Sequence, residues 1–181
     1  MNDRWRILSN SAAWIWLGGS LCISFIVAPA LFSSELRTTL TKEQAGLAAQ
    51  LVLKKHFFFQ CICSGLMCIG IIGHRRRTAS KCCWAVATIL FLVGGLWLAP
   101  KLTALHQQMY PTLYGLSAAT IPIEPLKSAF GKWHGVAQMA NLAVMMCVGL
   151  WLFLEWRDAK SAGTALKPSS VGSVSDAPER A

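Results

Sequence analysis

Apolar residues in this chain gather in four long blocks, at about residues 8–32, 54–73, 82–100 and 133–154, parted by polar or basic stretches. Neither the recurrence of a half-buried helix nor the alternation of a strand organises them. A helix crosses a bilayer when about 20 apolar residues, rising about 1.5 Å each, match a hydrocarbon core about 30 Å thick. The pattern predicts an all-α fold, a four-helix transmembrane bundle over residues 8–158. Residues 1–7 read as a basic head. Residues 159–181 turn to Ser, Gly, Ala and Pro and read as a disordered tail.

The punctuation between blocks is informative. Ala28-Pro29-Ala30 after a basic start resembles a cleavable signal, but the first block exceeds the roughly 7–15 apolar residues of such a segment. Thr41-Lys42-Glu43-Gln44 reads as a capping box, so a helix can start there and run into the second block. Pro100 is expected to close the third span, and Pro125 suits the first turn of the last helix. Arg4, Arg6, Arg75, Arg76, Arg77, Lys81, Arg157 and Lys160 crowd against the spans on the side holding both termini. By the positive-inside rule the termini are cytoplasmic, in the inner membrane of a bacterial cell. Trp5, Trp14, Trp84, Trp97, Trp133, Trp151 and Trp156 lie near block ends, where interfacial belts form.

Composition agrees. The chain is 54% hydrophobic and 14% charged, against about 25% charged in soluble domains. The net charge of +9 comes from residues flanking the blocks, so it implies lipid headgroups rather than nucleic acid. Seven cysteines lie mostly inside blocks, which reads as small apolar residues rather than a disulfide framework.

The blocks repeat in pairs. Ala28-Pro29 ends the first and Ala99-Pro100 the third; the second opens at His56 with Gln60, Cys63 and Met67, the fourth at His134 with Gln138, Asn141 and Met145. Both sets step by +4, +7 and +11 from the histidine, along one helix face. Two like-oriented hairpins related by an axis along the membrane normal are expected. Both histidines would then sit at helix N-termini, where the dipole favours neutral imidazole.

Phe130-Gly131-Lys132-Trp133-His134-Gly135-Val136-Ala137, followed by Asn141-Leu142, resembles the aromatic-His-Gly-x-Ser/Ala…Asn-Leu signature of the transmembrane protein 205 family. Trp16-Leu17-Gly18 through Phe32, His56, and Leu98-Ala99-Pro100-Lys101 resemble other parts of that family, so the similarity spans about Trp14 to Leu154. It implies a small four-span protein of unsettled activity. An animal member's association with resistance to a platinum drug implies soft-metal handling. The architecture is more distantly similar to copper-resistance membrane proteins and to a four-span haem-associated oxidase. The first-span histidine of that oxidase has no counterpart among Ser9-Asn10-Ser11.

No Asp or Glu lies within a block, so a carboxylate relay is absent and catalysis is not expected. The expected ligand contacts are His134, Asn141, His56 and Gln138, lining a polar cavity at the outer mouth. His56, His134 and His106, with Met109 and Met139 nearby, suit copper or another soft metal. Haem between His56 and His134 is the less favoured cofactor. The runner-up function is a structural or partner-binding subunit. Gly18-Gly19 and Gly94-Gly95 would then allow close contact with a second copy or another membrane protein.

Overall fold

The computed structural model describes residues 2–73, 78–117 and 122–165, and no strand occurs among them. In chain order the elements are α1 (Asn2–Cys22), a π-helical segment (Ile23–Val27), α2 (Ala28–Leu31), a 3₁₀ turn (Leu36–Thr38), α3 (Lys42–Gly73), α4 (Thr78–Val93), a second π-helical segment (Gly94–Leu98), α5 (Ala99–Met109), a 3₁₀ turn (Pro111–Tyr114) and α6 (Ile123–Ala165). The π segments join their flanking helices, so four helices are long and apolar enough to cross a membrane: Arg4–Leu31, Lys42–Ile72, Thr78–Met109 and Ile123–Ser161. These are spans 1 to 4. The side from which both ends emerge is called the terminal side, and the opposite one the loop side.

Proline explains the π segments. Pro29 and Pro100 each lack an N–H, and each ring crowds the carbonyl four residues back. Just ahead of each, the helix widens by one residue: Ala28 N–H donates to the Ile23 carbonyl and Ala99 N–H to the Gly94 carbonyl. A π turn of this kind keeps the backbone bonded while the proline passes. Pro100 therefore does not close span 3, which runs on to Met109.

The other helices are also longer than their apolar blocks. The capping box forms: Thr41 N donates to Gln44 Oε1 at 3.0 Å and Gln44 N to Thr41 Oγ1 at 3.3 Å. That cap starts α3 at Lys42, well ahead of residue 54. Pro125 lies in the first turn of α6, which starts at Ile123 and continues to Ala165, into the region expected to be disordered. The expectations for Arg75 to Arg77 and for residues 166–181 fall outside the described residues.

The surplus helix on the loop side folds into a cap around His106, which is buried. His106 Nδ1 and Tyr114 OH share a 2.9 Å hydrogen bond, and Tyr114 OH donates onward to Gln50 Oε1 at 3.4 Å. The rings of Tyr110 and Phe130 stand 5.0 and 6.0 Å from the imidazole. Gly46 of α3 makes room, since a Cβ there would lie 2.7 Å from His106 Nε2. One imidazole thus joins α3, α5, the second 3₁₀ turn and α6.

In the bundle core, Trp16 and Trp151 are fully buried with Met67, Val144 and Val148, and Phe91 is buried beside them. Trp151 is therefore a core residue and not part of an interfacial belt. Trp16 meets the Phe91 ring edge-on at 5.2 Å. Lipid tails are as apolar as these side chains, so close packing and interhelical hydrogen bonds, not water exclusion, hold the spans together. Packing is most extensive within two hairpins, span 1 on span 2 and span 3 on span 4. Within the first, a Cβ on Gly70 would lie 2.5 Å from Ser9 Cβ and 2.8 Å from the Trp5 carbonyl oxygen. Between hairpins, the Phe57 ring fills the space above Gly95. Ser64 bonds Thr88 at 2.9 Å, and Trp84 Nε1 donates to the Ser64 carbonyl at 3.2 Å.

Two outcomes are expected. Gly70→Ala overpacks spans 1 and 2 and should cost about 1–3 kcal/mol, read as a lower melting temperature in detergent. Gly65→Ala, whose Cβ meets nothing within 4 Å, should not lower it. The second concerns Tyr114, whose burial raises its pKa above the ordinary tyrosine value. A group held protonated more firmly when folded gives stability that is complete below its unfolded pKa, about 10, and is lost as pH climbs through the folded one. In a Tyr110→Phe protein, where Tyr114 is the remaining tyrosine, phenolate absorbance should rise at a midpoint above about 10.

A candidate ligand site between spans 1 and 2

The candidate residues fall into separate hydrogen-bonded settings. His56, on α3, is 7% exposed; its Nε2 and Ser20 Oγ share a 3.2 Å bond, and its ring stacks on Phe59 at 5.7 Å. His134, on α6, is exposed; it accepts from Gln138 Nε2 at 3.0 Å and stacks on Phe130 at 5.8 Å. Asn141 Nδ2 donates to Ser24 Oγ at 3.1 Å, fastening span 4 to the π segment of span 1. His106 belongs to the cap. Among the described residues, no three His, Cys, Asp or Glu side chains gather where they could hold one metal ion.

The two repeat histidines lie at similar depth. Phe57 packs against Gly95, and Trp133 meets Trp97 edge-on at 5.3 Å, so His56 and His134 each adjoin a residue set against the second π segment. Their surroundings differ: one ring is enclosed, the other open. Neither stands at a helix N-terminus, because α3 begins at Lys42 and α6 at Ile123. The macrodipole acts within the first turn, so the expected dipole effect on both imidazoles does not hold.

Beside His56 lies a feature that face-by-face reading of the sequence missed. A trough of about 650 Å³ runs between α1 and α3, open to the lipid-facing surface. Gly19, Cys22 and Ile23 form one wall; Leu51, Val52, Lys55, His56 and Phe59 form the other. Gly19 has no side chain, and the Phe59 ring takes the space, since a Cβ there would stand 2.9 Å from it. Ser20, fully buried, holds His56 from behind. From Gly70, near the terminal side, the rise along α3 to His56 is about 21 Å, some two thirds of a core about 30 Å thick. The trough therefore lies in the loop-side half of the membrane. The available sequence signal was Lys55, a charge at the edge of an apolar block beside a histidine.

The second hairpin carries different side chains at the matching positions. Aligned on the Ala-Pro pairs and the two histidines, Gly19 falls opposite Leu90, Cys22 opposite Val93, Val52 opposite Phe130 and Lys55 opposite Trp133. Ile23, Leu51 and Phe59 fall opposite the smaller Gly94, Ala129 and Ala137, so the two flanks differ in shape. Lys101 lies over the two tryptophans, its Nζ 3.6 Å from the Trp133 ring centre and 5.2 Å from that of Trp97.

The family model described as a domain of unknown function, DUF4149, matches residues 12–111. That stretch holds both π segments, the trough and His56, and stops ahead of Phe130 to Leu142, where the resemblance to the transmembrane protein 205 family is concentrated. The match does not extend to that finer assignment. No curated protein and no solved structure matches the chain. With more than half of its length covered, this four-span membrane protein belongs to the DUF4149 family.

Proposed function

We propose that the protein binds a small apolar or amphipathic ligand from within the bilayer, without chemical turnover, in the trough between spans 1 and 2. The trough itself carries the reading. Its volume, about 650 Å³, lies within the range of about 300–1,000 Å³ for ligand sites, and mostly apolar walls with one placed polar group are the usual construction. Here the walls are almost wholly apolar, and His56, its Nε2 engaged by Ser20, contributes its ring to one of them. Asn141 is a positioning residue: through Ser24 it holds the π segment next to Ile23, which forms part of the wall. His134 and Gln138 are bonded to each other on span 4 and offer a second polar contact rather than part of the trough. A soft metal shared by His56, His106 and His134 has less support, since the three rings are engaged by Ser20, Tyr114 and Gln138 respectively. The topology inferred from basic residues puts the opening toward the outer leaflet.

The Asn141–Ser24 bond also favours a structural role for the polar face of span 4. Asn141→Leu should then cost about 0.6 kcal/mol and no more than about 1.7, seen as a small fall in melting temperature.

Photolabelling tests the binding reading. A long-chain alkyl diazirine in bilayers should label residues 19–23 and 51–59 well above the exposed α4 residues Val86 and Ile89. Leu51→Trp, at an exposed position on the rim, should fill the trough and bring that labelling down to the level of Val86 and Ile89. Uniform labelling of every lipid-facing segment in the wild-type protein would refute the site.

A further inference from the structure

We infer that the occupant of the trough is an anionic phospholipid, with one acyl chain along the trough and its phosphate on Lys55. This rests on the binding reading above and names the ligand for it. Three observations bear on the head. Lys55 lines the trough, and none of the eight lining residues is acidic. Among the described residues no carboxylate lies within ion-pairing distance of Lys55. Lys54 and Lys55 are both exposed, so the cationic step on α3 is doubled at this level.

Direction follows from helix geometry. Side chains lean toward the N-terminus of their helix, and the N-terminal end of α3 is the loop side. The Lys55 stem therefore carries its ammonium from the level of His56 toward Leu51 and the headgroups, as long cationic side chains do at membrane boundaries. A phosphate held there leaves the chain to descend past Val52 and Cys22, over Gly19, to Phe59. A phospholipid of the same leaflet enters sideways and needs no aqueous path, which suits a trough open along its length. In the second hairpin the position matching Lys55 holds Trp133, whose ring has the Lys101 Nζ 3.6 Å from its centre.

The test uses the full-length protein from bilayers containing equal phosphatidylglycerol and phosphatidylcholine, analysed by native mass spectrometry for retained lipid. The wild type should keep phosphatidylglycerol about fivefold over phosphatidylcholine, the discrimination one lysine provides near a charged surface. Lys55→Gln should retain the two lipids about equally, with an unchanged melting temperature showing that it folds. Lys101→Gln, in the second hairpin, should keep the preference. Leu51→Trp should lose both lipids. Equal retention by the wild type, unaltered in Lys55→Gln, would overturn the phosphate assignment while leaving an apolar site. Preferential retention of added oleate over phosphatidylglycerol would overturn the phospholipid in favour of a free carboxylic acid. Loss of all lipid, together with absent diazirine labelling, would refute the trough as a site of any kind.

Discussion

Inside hydrocarbon no water is present to bond a stray peptide group, so a spanning segment must satisfy its own backbone. Pro29 and Pro100 challenge that requirement directly, since each removes a donor within an otherwise continuous helix. The widened turns at Ile23–Val27 and Gly94–Leu98 meet it by bonding one residue further along. Much else follows from where these turns fall. One presents Ser24 to Asn141 of span 4, and the other presents Gly95 to Phe57 of span 2. The same irregularity that lets proline sit in a span also supplies the seam between the hairpins.

The loop side is organised by a different economy. Helices longer than the membrane is thick must end somewhere, and here they end around one buried imidazole. His106, Tyr114 and Gln50 form a short chain of hydrogen bonds, and a bare glycine backbone on α3 leaves the ring its place. The cap holds α3 upright beyond the bilayer, and the loop-side lip of the trough, Leu51 and Val52, is cut from that same stretch of α3.

Block lengths, the Thr41–Gln44 box and the paired Ala-Pro steps made four spans and two similar hairpins legible in the sequence, because each is a local signal. Helix ends were not, since polar residues outside the membrane remain helical when a cap supports them. The candidate site was legible only in part. A helical stripe such as His134, Gln138, Asn141 says which side chains share a face and nothing of what stands opposite: Asn141 finds Ser24, while His134 finds Gln138 and Phe130 of its own helix. Trp151 looked interfacial from its place near a block end and is enclosed because spans 1 and 4 converge on it. The trough was invisible for the opposite reason. It lies between helices that no single stretch of sequence brings together, beside a Gly19 whose bare backbone admits the Phe59 ring.

The paired bulges let one backbone plan carry two chemistries. Both hairpins have the widened turn, the Ala-Pro step and the histidine. Yet Lys55 of one is exposed beside an apolar trough, while the matching Trp133 of the other lies under the Lys101 ammonium. The repeat fixes where each helix runs and leaves its outer side chains free to differ.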